Sequence, residues 1–225
     1  RKPRAVFVGS MTDLFHEAFT DEQRFKVLGV VALSPQHTFM LLTKRPEAMR
    51  AFFRRWGPHF MDTDERSLGA KFYELGEECV WPPANLWLGV SVWDQESADL
   101  NIPALLDTPA AVRFVSLEPM LGPVDIRTWI DEMDIDPEYG PLGPSGPGPW
   151  LDWVILGGET GAGARRMNPR WATAVYGRCR RAEVPFFWKR PGDALARMDR
   201  KYPDGRDWDI WERMICTREF PKVTA

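Results

Sequence analysis

The chain has 225 residues, 44% of them hydrophobic and 27% charged, with a net charge of −3 at neutral pH. That length buries one sizeable core rather than two full ones, and the mild acidity excludes a protein that is basic throughout, so any nucleic-acid surface would be a local patch. No apolar run approaches the roughly 18 residues of a membrane span and no signal-peptide core is present, so the expectation is a soluble cytoplasmic protein with no membrane partner.

From the N-terminus, Arg1-Lys-Pro-Arg4 opens without an initiator methionine and reads as part of a longer protein. Ala5-Val-Phe-Val-Gly9 is a short β-branched and aromatic strand that gives way to Ser10, Thr12 and Asp13. Thr20-Asp-Glu-Gln23 has capping-box spacing, and Phe25, Leu28, Val31 and Ala32 share one face of the helix it starts. Thr38 to Leu42 is a second strand ending in Thr43, Lys44 and Arg45, and Pro46 starts a helix that carries Met49, Phe52 and Phe53. Residues 57 to 84 break the rhythm and read as an excursion with a short helix around 67 to 75. Leu86 to Val92 is the third strand, with Ser91 and Asp94 near its end and a helical segment from about Ser97 to Leu106. Val112 to Leu117 is the fourth, followed at once by Glu118-Pro119. Residues 131 to 149, rich in acid, Pro and Gly, read as a flexible insertion with little regular structure.

Trp153 to Leu156 is too short for a buried helix and is β-branched at Val154 and Ile155, so it predicts a fifth strand buried on both faces. Gly157-Gly-Glu159 ends it, and Asn168-Pro169 opens a helix to about Ala182, since Asn is a preferred cap and Pro is preorganised for a first turn. Val184 to Trp188 predicts a sixth strand ending in Lys189-Arg190, and the segment from Asp193 reads as a C-terminal extension packing on the domain formed by residues 1 to 192. Strand and helix alternate throughout, which predicts an α/β fold: a parallel βα barrel or partial, TIM-like barrel, with a doubly wound open sheet as the alternative. Cys79, Cys179 and Cys216 are too far apart for a local metal knuckle and odd in number, and read as ordinary thiols.

In parallel α/β folds ligands sit beyond the carboxyl ends of the strands. The strand ends here supply Ser10, Asp13, Thr43, Lys44, Ser91, Glu118, Gly157, Gly158 and Glu159 as candidate cofactor-binding residues. Polar residues are also needed wherever strands exit to water, and the glycines serve equally for a tight turn or for close approach to a ligand. Glu118 stands out because it follows a buried strand directly and precedes Pro119, which restricts its backbone. GGETGAG is not the dinucleotide fingerprint, and no Ser-His-Asp, HExxH or P-loop pattern occurs, so no catalytic residue and no metal site is named. His16 lacks a second ligand at metal spacing. Arg165, Arg166, Arg178, Arg180 and Arg181 would suit phosphates or simply solvate their surfaces. Trp56, Trp87, Trp153 and Trp188 sit in apolar contexts and read as core.

Taken in order, VFVGSMTDLFHE, FMLLTKRPEAM, LWLGVSV, VRFVSLEPMLGP, DWVILGGETGAGARRMNPRW and PFFWKR resemble an uncharacterised phage-associated family, common in phages and bacteria, whose members usually begin with a three-cysteine segment. The resemblance spans nearly the whole chain up to Arg190. Full-length members are similar to radical S-adenosylmethionine proteins, their cysteine segment resembling the loop that holds a 4Fe-4S cluster. VFVGSMTDLFH and FMLLTK resemble strands of the spore-photoproduct-lyase-like branch. The resemblance implies S-adenosylmethionine and a 4Fe-4S cluster as cofactors, with Ser10, Asp13, Thr43, Lys44, Ser91, Glu118 and Glu159 facing a barrel mouth. The chain departs from the pattern where the cysteine segment and first βα unit would stand, and its three cysteines do not match the motif, so no cluster is expected in it.

Two functions follow as expectations. One is an enzyme, the greater part of a radical S-adenosylmethionine-like barrel acting on nucleic acid or a nucleoside. The other is a cluster-less binding or regulatory module that holds a nucleic acid or a host protein. A hydrolase using Glu118 and Glu159 as an acid/base pair is a weaker third. Under each, Ser10, Thr43, Ser91, Glu118 and Glu159 are expected on one rim.

Overall fold

A computed structural model describes residues 2–57, 82–130, 135–136, 140–141, 150–196, 213–214 and 216–222. The main elements are β1 (Ala5–Val8), α1 (Asp21–Ala32), β2 (Thr38–Thr43), α2 (Pro46–Trp56), β3 (Leu86–Val92), α3 (Gln95–Leu106) and β4 (Val112–Leu117). After a short 3-10 turn at Arg127–Trp129 come β5 (Ile135–Asp136), β6 (Gly140–Pro141), β7 (Trp153–Gly157), α4 (Pro169–Arg181), β8 (Phe186–Arg190) and the single turn α5 (Asp193–Ala196). Six strands form one sheet in the order β1-β2-β3-β4-β7-β8. The order never reverses, as it would at the switch point of a doubly wound sheet, so the chain is an α/β partial barrel.

Burial explains the strands. Every residue of β3 and β7 is buried, the signature of parallel strands covered on both faces, and Leu88, Val90, Phe114, Val115 and Leu156 are fully enclosed. Trp87, Trp153 and Trp188 are core residues, as their contexts predict.

The residues group into two compact units. The first contains the N-terminal part to Val90 together with Pro103–Arg113. Here β1 runs parallel to β2, with Phe7 opposite Met40, and β2 runs parallel to β3, with Leu41 opposite Leu88. Helix α1 begins at the predicted capping box: Gln23 N–H donates to the Thr20 hydroxyl and Thr20 N–H to the Gln23 side chain. Phe15, Phe25, Phe52, Phe53 and Trp56 form an aromatic cluster with ring centroids 5.2–6.1 Å apart, and the half-buried Trp56 indole N–H finds Asp21 at 2.9 Å. Thr20→Ala removes one of the two reciprocal cap bonds and is expected to cost about 1 kcal/mol, read as a lower urea midpoint at unchanged slope.

The second unit contains Ser91–Ile102 and Phe114–Lys222. Here β4 pairs with β7 and β7 with β8, all parallel. Helix α3 starts at Gln95 rather than near Ser97, because Asp94 is its cap: Ser97 N–H donates to the Asp94 carboxylate while the Ser97 hydroxyl accepts from Trp93 and Asp94 N–H. The sixth strand is displaced relative to the sequence reading. Val184 N–H is spent on Cys179 C=O at the end of α4 and Pro185 has none, so the strand begins at Phe186 and carries Lys189 and Arg190 within it. Phe187 makes an antiparallel bridge to Arg218, and the Trp153 indole donates to Glu219 C=O, which ties the C-terminal segment to this unit. Within 131–149 the two-residue strands β5 and β6 pair antiparallel. The rest of that stretch, the helix predicted around 67–75, and Cys79 lie outside the described residues.

Candidate functional site

In each unit a polar cluster stands at the carboxyl ends of its strands. In the first, Gly9 adopts φ +69° to turn the chain after β1, and a Cβ there would come within 2.9 Å of the Thr12 hydroxyl. The turn delivers Asp13 to the end of β2. Its carboxylate accepts hydrogen bonds from the Thr43 hydroxyl (2.8 Å), Lys44 N–H (3.0 Å), the Arg45 guanidinium (3.0 Å) and its own neighbour Phe15 N–H (3.0 Å). Burial alone would push the Asp13 carboxyl up, but these four donors together hold its pKa below the ordinary value. Asp13 is therefore an ionised hub that sets the backbone from Thr43 to Arg45. Lys44 takes part through its backbone, while its side chain is exposed, and Ser10 is exposed in the turn.

In the second unit Glu118 follows β4, and the Glu118–Pro119 bond is cis. Its carboxylate meets Lys189 Nζ at 2.5 Å and lies 3.8 Å from Arg190 Nε, both from β8. Gly157, at the end of β7, lies against it: a Cβ there would sit 3.4 Å from the Glu118 carboxyl. Gly158 donates its N–H to Arg190 C=O, and its open side faces the backbone of Pro191 and Gly192. Glu159 accepts from Arg165 three times, from the guanidinium at 2.7 and 2.9 Å and from the backbone N–H at 2.6 Å. Those bonds, the side-chain ones foremost, lower its pKa to about 2. Asp193 closes the same loop by accepting from Gly161 N–H at 2.8 Å, while its own N–H donates to Glu159 C=O.

The candidates thus fall into groups: Asp13, Thr43 and the Lys44 backbone in one, Glu118 and Gly157 in another, with Gly158 and Glu159 held by the loop next to them. Ser91 is 3% exposed inside β3, where its carbonyl accepts from the Asn101 amide. The sequence places Arg45, Lys189 and Arg190 at strand ends and Arg165 among possible phosphate contacts, but does not mark them, or Asp193, as the partners of these carboxylates. A basic residue at one strand exit and an acid at another was the available signal, since each buried or half-buried carboxylate needs a donor.

Among the described residues no three His, Cys, Asp or Glu side chains come together as a metal-binding set. Cys179 is buried within α4 and Cys216 is exposed, so the described thiols do not fit a 4Fe-4S cluster. None of the helices among the described residues is long and apolar enough to cross a membrane.

No curated protein and no solved structure matches the chain significantly. A family model does, from residue 1 to residue 214, and so takes in both polar clusters and every strand of the sheet. On that match the chain belongs to the family of proteins of unknown function DUF5131.

Proposed function

We propose that this chain is the greater part of a phage-associated, radical S-adenosylmethionine-like barrel protein acting on nucleic acid or a nucleoside, and that its second unit binds the nucleoside-bearing ligand. The observation carrying the reading is the Glu118 carboxylate at the end of β4, flanked by Lys189 and Arg190 of β8 and by Gly157 of β7. A carboxylate accepts from both hydroxyls of a ribose, and the two cations beside it suit a phosphate or the carboxylate of an amino-acid moiety. S-adenosylmethionine, when reduced by a cluster, supplies a radical in proteins of the resembled class. The described residues fit no cluster, so this chain's part is to bind, orient and exclude water. Glu159, with its pKa near 2, stays ionised at neutral pH and serves as an acceptor, which disfavours the acid/base hydrolase. A cytoplasmic location accompanies this reading.

A second reading, a cluster-less module holding a nucleic acid or host protein, is favoured by the separate environments of Cys179 and Cys216. Calorimetric titration with S-adenosylmethionine addresses the binding claim. The chain is expected to bind weakly, and a Glu118→Ala, Glu159→Ala double variant roughly tenfold more weakly, as expected for lost charge-assisted hydrogen bonds. Equal titration of the two proteins removes these acids from the site. Anaerobic iron reconstitution of a version carrying an upstream three-cysteine segment addresses the chemistry: if no iron is bound, the radical reading is lost and the binding module stands.

A further inference from the structure

We infer that a cavity of about 620 Å³ beside the amino end of β8 binds a zwitterionic small molecule, an α-amino acid with an apolar side chain. Its walls are Arg180, Glu183, Val184 and Pro185, from the end of α4 and the link to β8, and Glu219, Phe220 and Lys222 of the C-terminal segment. The volume lies in the range of small-molecule sites, roughly 300–1,000 Å³. The cavity is at the other end of β8 from Lys189 and Arg190.

Two of the four charged walls are committed to structure. Arg180 pairs with Glu219 at 2.8 Å, and the second oxygen of Glu219 accepts from Phe186 N–H at 3.0 Å. Glu183 and Lys222 are different, because neither makes a hydrogen bond or ion pair among the described residues, with each other or with any neighbour. An unpaired carboxylate and an unpaired ammonium therefore line one cavity without closing on each other. A simple anion entering there would face Glu183 and Glu219, and a simple cation would face Arg180 and Lys222. A ligand carrying both charges complements both.

Glu183 also breaks a local rule. It has φ +56°, the left-handed conformation of the residue just past a helix end, and Val184 N–H returns to Cys179 C=O as in the motif that usually places glycine there. Strain of this kind at a side chain that lines a cavity is a marker of function. The apolar half of the ligand has a prepared surface in Phe220. Its ring packs against Trp153 at 5.0 Å and Phe187 at 5.4 Å yet stays 49% exposed, with Val184 and Pro185 beside it.

The test is calorimetric titration of the chain with L-phenylalanine and with N-acetyl-L-phenylalanine, which lacks the ammonium. Glu183→Gly is the informative variant, since glycine suits the left-handed position and the fold is retained, as its thermal midpoint will report. Wild type is expected to bind L-phenylalanine roughly tenfold or more tightly than the variant does, while N-acetyl-L-phenylalanine binds both equally weakly. The Glu118→Ala, Glu159→Ala protein is expected to bind L-phenylalanine as wild type does, which separates this cavity from the S-adenosylmethionine reading. Equal affinity of wild type and Glu183→Gly for L-phenylalanine, absence of binding by wild type at millimolar concentration, or loss of binding in the double variant would each overturn the inference.

Discussion

Gly158→Ala is expected to destabilise the protein by about 3 kcal/mol, the upper range for forcing an extra carbon into a closed space. A Cβ at this position would lie 2.2 Å from Pro191 O, 2.7 Å from Pro191 C and 2.9 Å from Gly192 Cα. All three are backbone atoms, so no side chain can swing aside. The two strands of the contact are also bonded on both sides of it, by Gly158 N–H to Arg190 C=O at 3.0 Å and by Asp193 N–H to Glu159 C=O at 2.9 Å. Gly192 is constrained in return, at φ +82° with room for no Cβ against Glu159 O at 2.7 Å. Gly161→Ala supplies the contrast. It has positive φ but open space around it, so its cost is the conformational one of about 1–2 kcal/mol. Urea unfolding of the two variants side by side distinguishes the effects, and similar midpoints would show that the backbone contact at Gly158 does not constrain the loop.

Asp13→Asn should cost about 2–4 kcal/mol at neutral pH, because it removes a half-buried charge and replaces one of two accepting oxygens by an NH2 group that faces donors. The affected bonds come from Thr43, Lys44, Arg45 and Phe15. The pH dependence follows from the direction of the shift. The folded pKa lies below the ordinary 3.8, so the stability Asp13 contributes is complete above that value and is lost as pH falls through the folded pKa. The gap in unfolding free energy between wild type and variant should thus be constant from pH 7 to about 5 and shrink below about 4. A gap that stayed constant down to pH 2.5 would mean that ionisation of Asp13 is not what the four donors recognise.

The loops these variants address were only partly legible in the residues. GGE after a buried strand announced a turn with an acid at its end, but not that Pro191 and Gly192 would fill the space over Gly158, since that contact joins two loops more than thirty residues apart. The sequence marked Lys44 as a side chain of interest, whereas the structure uses its N–H, a group every residue but proline possesses and no pattern can flag. In the sequence Lys189 and Arg190 stand as the polar exit of a strand. The ladder instead extends through them, because Pro185 and the engaged Val184 N–H postpone its start.

Local chemistry determined the elements. The capping box at Thr20, the Pro46 and Asn168-Pro169 helix starts and the short, mainly apolar runs of β3, β4 and β7 involve residues a few positions apart, so their geometry follows from the chain itself. Tertiary structure alone decided who meets whom. Asp13 finds Thr43 thirty residues away at the end of the neighbouring strand, and Glu118 finds Lys189 seventy-one residues away across the end of the intervening β7, because parallel pairing brings the carboxyl ends of β4, β7 and β8 to one edge. A half-buried carboxylate then takes whichever donor the register delivers, and register is a property of the sheet rather than of any one segment.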